Sequence, residues 1–366
     1  MRITLFSFIM SILWGSILAV LLHFCRKKPL FLRKFGIRNV LFLYMCCIVR
    51  MVFPYEFPFA RALPSEGFFQ GIRANVGGLG AETGRPWFFL AFAVVWFGTS
   101  AMLLLRFLVC YAKSIREFSG YRICEEERIQ RTFQKILNEC GDQAKLTIRR
   151  SRHVSIPMGV GILKKSILLP EDNYSDSELY YILLHEYTHF RNHDLLIKIA
   201  VHILSCMLWW NPVVYLLKKD IAQLLEIKCD LSVTGGMEDS RKADYLTAIV
   251  SVLKRAGKRN RAEEFYGTAA LVARSYGSET VERFQAVSIH SGGRNQNGFV
   301  LAAGFLALAM LFYLSYSFTL HPGYQSQRGI RATETAPDAY DASEEISFVD
   351  IMRNTKSGYM YLYGEP

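Results

Sequence analysis

Long uncharged runs constrain this chain more than any other feature. Residues 3–24 contain no Asp, Glu, Lys or Arg, and a helix rising about 1.5 Å per residue over that length crosses a hydrocarbon layer ~30 Å thick. A cleaved leader is disfavoured, because no small-x-small exit follows and His23 and Phe24 precede Cys25 where a lipoprotein signal needs small residues. A second run covers residues 40–53 and reaches towards 59, interrupted by Arg50 and closed by Pro54; the guanidinium near its end is read as snorkelling to the interface. A third, 87–112, carries only Arg106, and a fourth, 299–320, carries no charge.

The chain is 51% hydrophobic, and these residues are gathered into runs. With 14% aromatic and 20% charged residues, a disordered chain, a collagen-like chain and a disulfide-stapled secreted domain are excluded. The net charge of +11 invites a nucleic-acid reading, but the placement of the charges argues otherwise. Arg26, Lys27, Lys28, Arg33, Lys34 and Arg38 follow the first run with no acid among them, whereas residues 55–86 hold three basic and three acidic groups. Excess positive charge marks the cytoplasmic side. Four crossings then place the N-terminus, residues 55–86 and a tail of residues 321–366 outside, and residues 113–298 inside. The tail agrees in sign, with four Lys/Arg against seven Asp/Glu. All eight cysteines fall in spans or cytoplasmic segments, and no Cys-x-x-Cys pair exists.

The chemistry is expected in the 113–298 insert, which is long enough for its own core. An amphipathic helix is expected near 125–140, β runs near 145–150 and 161–169, and a helix starting at Ser175, where Ser175 and Glu178 form a capping box. That helix carries His185-Glu186-Tyr187-Thr188-His189, an H-E-x-x-H sequence. Two histidines four apart share a helical face, so both imidazoles reach one Zn²⁺, and Glu186 stands ready as general base for water that the ion activates.

A third ligand must come from elsewhere. Residues 195–217 are nearly apolar, but a crossing there would separate the histidines from everything downstream. Asn211-Pro212 instead predicts a hairpin over 195–227, with one helix to about residue 210 and another returning from 213. The outward leg from His189 is about 33 Å and the return to Glu226 about 22 Å, so Glu226 comes back near the histidines. Glu226 would bind metal and Asp230, one turn on, would accept a hydrogen bond from a ligand imidazole; a solvated helix charge is the plain alternative for Glu226. Asp194 reads equally as a group supporting the site or as a helix-terminating one.

The series His-Glu-Tyr-Thr-His-Phe-Arg-Asn-His-Asp-Leu-Leu (185–196), Trp-Trp-Asn-Pro-Val-Val-Tyr (209–215) and Glu-Ile-Lys-Cys-Asp (226–230) resembles the BlaR/MecR family of membrane zinc metallopeptidases. So do Ile156-Pro-Met-Gly159 with Ile167-Leu-Leu-Pro170, and Val49-Arg-Met-Val-Phe-Pro54. The resemblance covers roughly residues 1–320. It implies an α-helical polytopic membrane protein with four transmembrane helices, an extracellular N-terminus and a cytoplasmic α+β zincin domain of gluzincin type. His185, His189 and Glu226 would be the zinc ligands and Glu186 the base. The best-known members carry a penicillin-binding domain with Ser-x-x-Lys after the fourth span; only 46 residues follow here, without that motif, so β-lactam sensing by acylation is not expected.

His193 and His202 are expected to be structural or interfacial, and Trp209 and Trp210 to anchor the hairpin tip at a membrane interface. Gly159 and Gly161 permit either close approach of an extended substrate to an edge strand at 161–169 or plain packing. The basic stretch 254–261 is read as a solvated or lipid-facing patch rather than a nucleic-acid site. The expected activity is a zinc endopeptidase of a bacterial plasma membrane that cuts a cytosolic regulator, such as a winged-helix repressor, or itself, on a signal. A constitutive prenyl-protease-like enzyme and a non-proteolytic receptor are the rivals, and whether the chain forms a homodimer is left open.

Overall fold

A computed structural model describes residues 5–54, 61–64, 87–259, 278–290 and 298–321. Most of the 55–86 segment and nearly all of the tail expected beyond residue 320 lie outside these. Helix α1 (Leu5–Arg26) and α3 (Ile37–Val52) are joined through a short basic helix, α2 (Pro29–Phe35), whose proline occupies its first turn where no amide donor is needed. They pack closely because Gly15 faces Met51; a Cβ there would stand 2.4 Å from Met51 Cγ. Helix α4 (Trp87–Ser119) runs past the expected end of its apolar stretch. Among the described residues, the parts of helices long and apolar enough to cross a membrane are Phe8–Arg26 and Ala91–Ser119. Helix α3 has 16 residues, about 24 Å of rise. Helix α11 (Gly298–Ser317) has 20.

The 195–227 run forms the expected hairpin: α7 (Asp194–Met207), then α8 (Pro212–Thr234), with Asn211 capping α8 through its side-chain oxygen on Val213 N (2.9 Å). Its apolar character is explained by what it packs against. Leu204, Val214, Leu217 and Leu224 share one core with Leu22 of α1 and Val40, Tyr44 and Met51 of α3. Trp96 of α4 donates to the Met207 carbonyl (2.8 Å) and meets Trp210 edge-on, closing the hairpin tip.

Arg50 does not snorkel, contrary to expectation. It is buried, donates to the Ser315 carbonyl (2.9 Å) and hydroxyl (3.2 Å) and lies over the Tyr316 ring (4.1 Å), so its charge joins α3 to α11. Strands β1 (Arg61–Pro64) and β6 (Phe318–His321) pair in parallel.

The remaining segments build an α+β unit. Strands β2 (Arg122–Ile123), β3 (Thr147–Ser151), β4 (Met158–Val160) and β5 (Ser166–Pro170) form a sheet of order β2-β3-β5-β4, with β3 and β5 parallel and the outer pairs antiparallel. The expected edge strand at 161–169 is therefore corrected: residues 166–170 are internal, and β2 and β4 are the edges. Helices α5 (Glu127–Cys140) and α6 (Asp176–Arg191) cover the sheet, Phe133, Ile136, Leu179, Ile182 and Leu183 packing on Ile148, Ile167 and Leu169.

Both glycines are needed for local packing. A Cβ on Gly159 would stand 2.7 Å from the Phe190 ring, and Gly161 turns at φ +87° with its Cβ position 2.1 Å from the Lys164 carbonyl oxygen. Gly161→Ala is expected to cost on the order of 2 kcal/mol or more, because the left-handed backbone and the backbone clash are both unrelieved; a thermal-unfolding midpoint equal to that of the unmodified chain in detergent would refute this.

Helix α9 (Asp239–Arg259) packs Tyr245, Ala248 and Ile249 on Tyr181, Cys229 and Val233, and α10 (Ser278–His290) lies along α8. Of the basic stretch expected to be a solvated or lipid-facing patch, Arg255 is instead paired with Glu178 (2.8 Å) and lies over the Tyr174 ring (5.1 Å), while Lys254 is exposed. The side chains of 258–261 lie outside the described residues.

Candidate metal centre

Helix α6 starts as its sequence requires. Ser175 Oγ accepts from Glu178 N (3.2 Å) and Glu178 Oε2 accepts from Ser175 N (2.9 Å), so the first free amides are satisfied. Three turns on, His185 and His189 stand one above the other with their rings perpendicular and their Nε2 atoms 3.2 Å apart. The helix does not continue into the hairpin as a single outward leg. It stops at Arg191, His193 turns left-handed (φ 55°), and α7 begins afresh at Asp194. The break has a consequence for the site, because it swings Asp194 back beneath the histidines. Its buried carboxylate takes His189 Nδ1 on Oδ2 (2.8 Å) and Lys228 Nζ on Oδ1 (2.5 Å).

Glu226 arrives where the hairpin arithmetic put it. Its Oε2 is 3.6 Å from both His185 Nε2 and His189 Nε2, and Lys198 Nζ holds the other oxygen at 3.0 Å. Ligands about 2.05 Å from a tetrahedral ion are separated by about 3.3 Å. Edges of 3.2, 3.6 and 3.6 Å therefore fit one zinc ion without rearrangement. Burial disfavours ionisation of Glu226, but Lys198 and His189 outweigh it and hold the carboxyl well below the usual range, so it is anionic at neutral pH.

A second trio competes for the same histidines. The ligand atoms of His185, His189 and Cys229 lie within 4.8 Å of one another. Cys229 Sγ, however, is 3.5 Å from His185 Nδ1, the ring nitrogen remote from the Nε2 pair, and its thiol donates to the His185 carbonyl (3.4 Å). Cys229 also interacts with His189, while the Glu226 oxygen is equidistant from the two Nε2 atoms.

Asp230 supports His185 less directly than its spacing suggests. His185 Nδ1 meets the Tyr245 hydroxyl at 2.8 Å, and that hydroxyl donates to Asp230 Oδ1 (2.6 Å); Asp230 itself is 3.5 Å from the ring nitrogen. With Nε2 facing the metal position, Nδ1 carries its hydrogen and Tyr245 Oη accepts it, an orientation that fixes the tautomer. Tyr245, Lys198 and Arg283 were missed by sequence reasoning. Arg283 clasps both oxygens of Asp230 (2.7 and 2.8 Å) and comes within 3.5 Å of Glu226 Oε2.

Glu186 lines a cavity of about 660 Å³ together with His185, His189, Glu226 and the edge strand residues Met158 to Val160. Burial raises its carboxyl above the usual range, opposed in part by the two histidines, which moves a carboxylate towards the basicity a proton acceptor needs. His193 is the N-cap of α7, and His202 sits between the Phe107 ring (4.3 Å) and Lys218 Nζ (2.6 Å). His202 also lines the cavity.

Known proteins resemble this chain in sequence. The family model described as BlaR1 peptidase M56 matches residues 84–285. The chain is 28% identical over 203 residues to the regulatory protein BlaR1 of Bacillus licheniformis, a stretch that covers 54% of this chain and 33% of the relative. Against the methicillin resistance mecR1 protein of Staphylococcus aureus the figures are 25% over 169 residues, 43% of this chain and 29% of the relative. The chain thus matches about a third or less of the length of these curated relatives. Because the family model covers more than half of the sequence, and the residues that could hold a metal lie inside it, the chain belongs to the BlaR1 peptidase M56 family.

Proposed function

We propose that this chain is a membrane-embedded zinc metalloendopeptidase that cuts a cytosolic regulator, in the manner of an antirepressor, or itself, when a signal is registered. The convergence of Glu226 Oε2 with both histidine Nε2 atoms carries this reading, since a His-His-Glu trio with a glutamate beside it is a hydrolytic donor set. A bound zinc ion would acidify water and polarise the scissile carbonyl. Glu186 takes the proton of the attacking water and returns it to the leaving amide nitrogen. Asp194 and the Tyr245–Asp230 pair keep the imidazoles oriented, and β4, the edge strand bordering the cavity, leaves its outer backbone groups for an extended substrate.

The four-span topology, with residues 1–112 holding three spans, 113–298 the cytoplasmic protease domain and 299–320 the last span, belongs to the same proposal. Support comes from α4, whose Phe92, Phe97, Met102 and Leu105 are 61–71% exposed, an apolar surface suited to lipid. Further support comes from the parallel pairing of β1 with β6, which joins a segment assigned to the outside to the outer end of the last span. The relatives' names, a regulatory protein and a resistance protein, favour signalling over constitutive turnover.

Cysteine-accessibility mapping in right-side-out and inverted vesicles tests the arrangement. Reporter cysteines on the exposed face of α5 and at Lys254 should label only in inverted vesicles, and one at position 73 only in right-side-out vesicles. Labelling of the α5 reporter from outside would overturn the topology. Proteolysis of a co-produced regulator should stop with a zinc chelator and return with added Zn²⁺; cleavage indifferent to chelation would overturn the chemistry.

A further inference from the structure

Two adjacent residues of α10 look in different directions. Arg283 grips Asp230 through two nitrogens and approaches the metal-facing oxygen of Glu226. Asp230 in turn holds Tyr245, and Tyr245 holds His185. One guanidinium therefore bears on two of the three donors. Glu282, one peptide unit earlier, accepts from Arg26 Nη1 (2.9 Å) at the last turn of α1. Arg26 Nε also pairs with Asp220 of α8 (2.8 Å), and the buried Asp220 accepts from Tyr44 of α3 (2.7 Å) and contacts His23 of α1 (2.7 Å).

The chemistry of this second cluster is unlike that of ordinary helix packing. Burying Arg26 and Asp220 is favourable only while every partner stays in place, because an ion left alone in a low-dielectric setting costs far more than the pair gains. Along α8, Asp220, Gln223, Glu226 and Asp230 follow one another at three- and four-residue spacing, so one stripe of the helix faces both clusters. Helix α10 lies on that stripe, Gln223 Nε2 donating to the Glu279 carbonyl (2.8 Å) and Lys219 pairing with Glu279 (3.2 Å). Among its described side chains the apolar hold is small, with Val287 buried and Phe284 and Ala286 partly so. Polar contacts to α1 and α8 therefore determine where α10 sits.

We propose that α10 couples the end of α1 to the metal centre: Arg283 is a positioning residue for Glu226 and His185, and the adjacent Glu282, held by Arg26, sets where Arg283 lies. A shift of α1 by even part of a helical turn is then transmitted through a single rigid helix to two metal donors, without any change in the histidine helix itself. The inference rests on the metallopeptidase reading above and supplies the route by which a membrane helix would regulate it.

The test uses the full chain in lipid nanodiscs, stripped of metal and loaded with Co²⁺, with Arg26→Gln, Glu282→Gln, their double variant, Arg283→Gln and Arg283→Lys. Visible absorption reports donor geometry, and competition with a chromophoric chelator reports affinity. Arg283→Gln should weaken metal binding about 10-fold or more, the scale for residues that orient ligands, with Arg283→Lys recovering part. Arg26→Gln and Glu282→Gln, neither of which touches a donor, should each shift the cobalt bands and weaken binding several-fold. The double variant should be no worse than the stronger single one. Spectra and affinities of Arg26→Gln and Glu282→Gln equal to those of the unmodified chain would overturn the coupling, and these two variants decide the matter if Arg283→Gln fails to fold. An unmodified chain that binds no Co²⁺ would instead overturn the metal-centre reading.

Discussion

Glu186→Gln is expected to abolish peptide-bond cleavage while the protein keeps its full metal content. The amide is nearly the same size as the carboxylate and stays in the same cavity wall, and Glu186 is not among the groups that meet the two Nε2 atoms, so the donor set is untouched. What is lost is the proton acceptor. Positioned general bases contribute roughly 10²- to 10⁴-fold, and here the same carboxyl serves both the attack and the departure of the amine, so a fall at the upper end of that range is expected. The measurement pairs cleavage of a co-produced regulator with zinc determination on the purified protein. Cleavage within a few-fold of the unmodified chain would remove Glu186 as the base; loss of zinc would show it to be a donor instead.

The second large effect separates the two candidate third donors. Glu226→Gln should lower zinc affinity by about 100-fold, since a neutral amide oxygen replaces an anionic ligand and the exchange also leaves Lys198 and Arg283 facing it without their shared countercharge. Cys229→Ser should stay within a few-fold, because the sulfur contacts the far nitrogen and the carbonyl of His185, contacts that a hydroxyl also makes. Chelator competition on both purified variants decides between them. A severe loss in Cys229→Ser with Glu226→Gln unaffected would reassign the third ligand to the thiolate.

The histidine pair, its glutamate and the capped start of α6 were legible because all of them lie within 15 residues of one helix, where periodicity alone determines which side chains share a face. Glu226 was legible for a related reason: Pro212 forces a reversal, and two helical legs of countable length bring the chain back. The break at His193 was not, since nothing in Asn192-His193-Asp194 distinguishes a left-handed turn from one more helical turn, and its effect on Asp194 emerges only when His189 is present to receive it. Arg50 misled the reading because distance from the end of an apolar run predicts access to the interface only when no neighbouring helix offers a carbonyl. Ser315, 265 residues away, does.

What the amino-acid sequence determined by itself was local and one-dimensional: which stretches are apolar enough for a bilayer, which helix carries two imidazoles on one face, and where proline turns the chain. Tertiary structure decided which buried charges answer one another. Tyr245 beside His185, Lys198 and Arg283 on Glu226, and Arg26 between Asp220 and Glu282 come from separate helices. No spacing rule links them, because the force that selects them is the cost of burying an ion without its partner, and that cost arises only after the helices have packed.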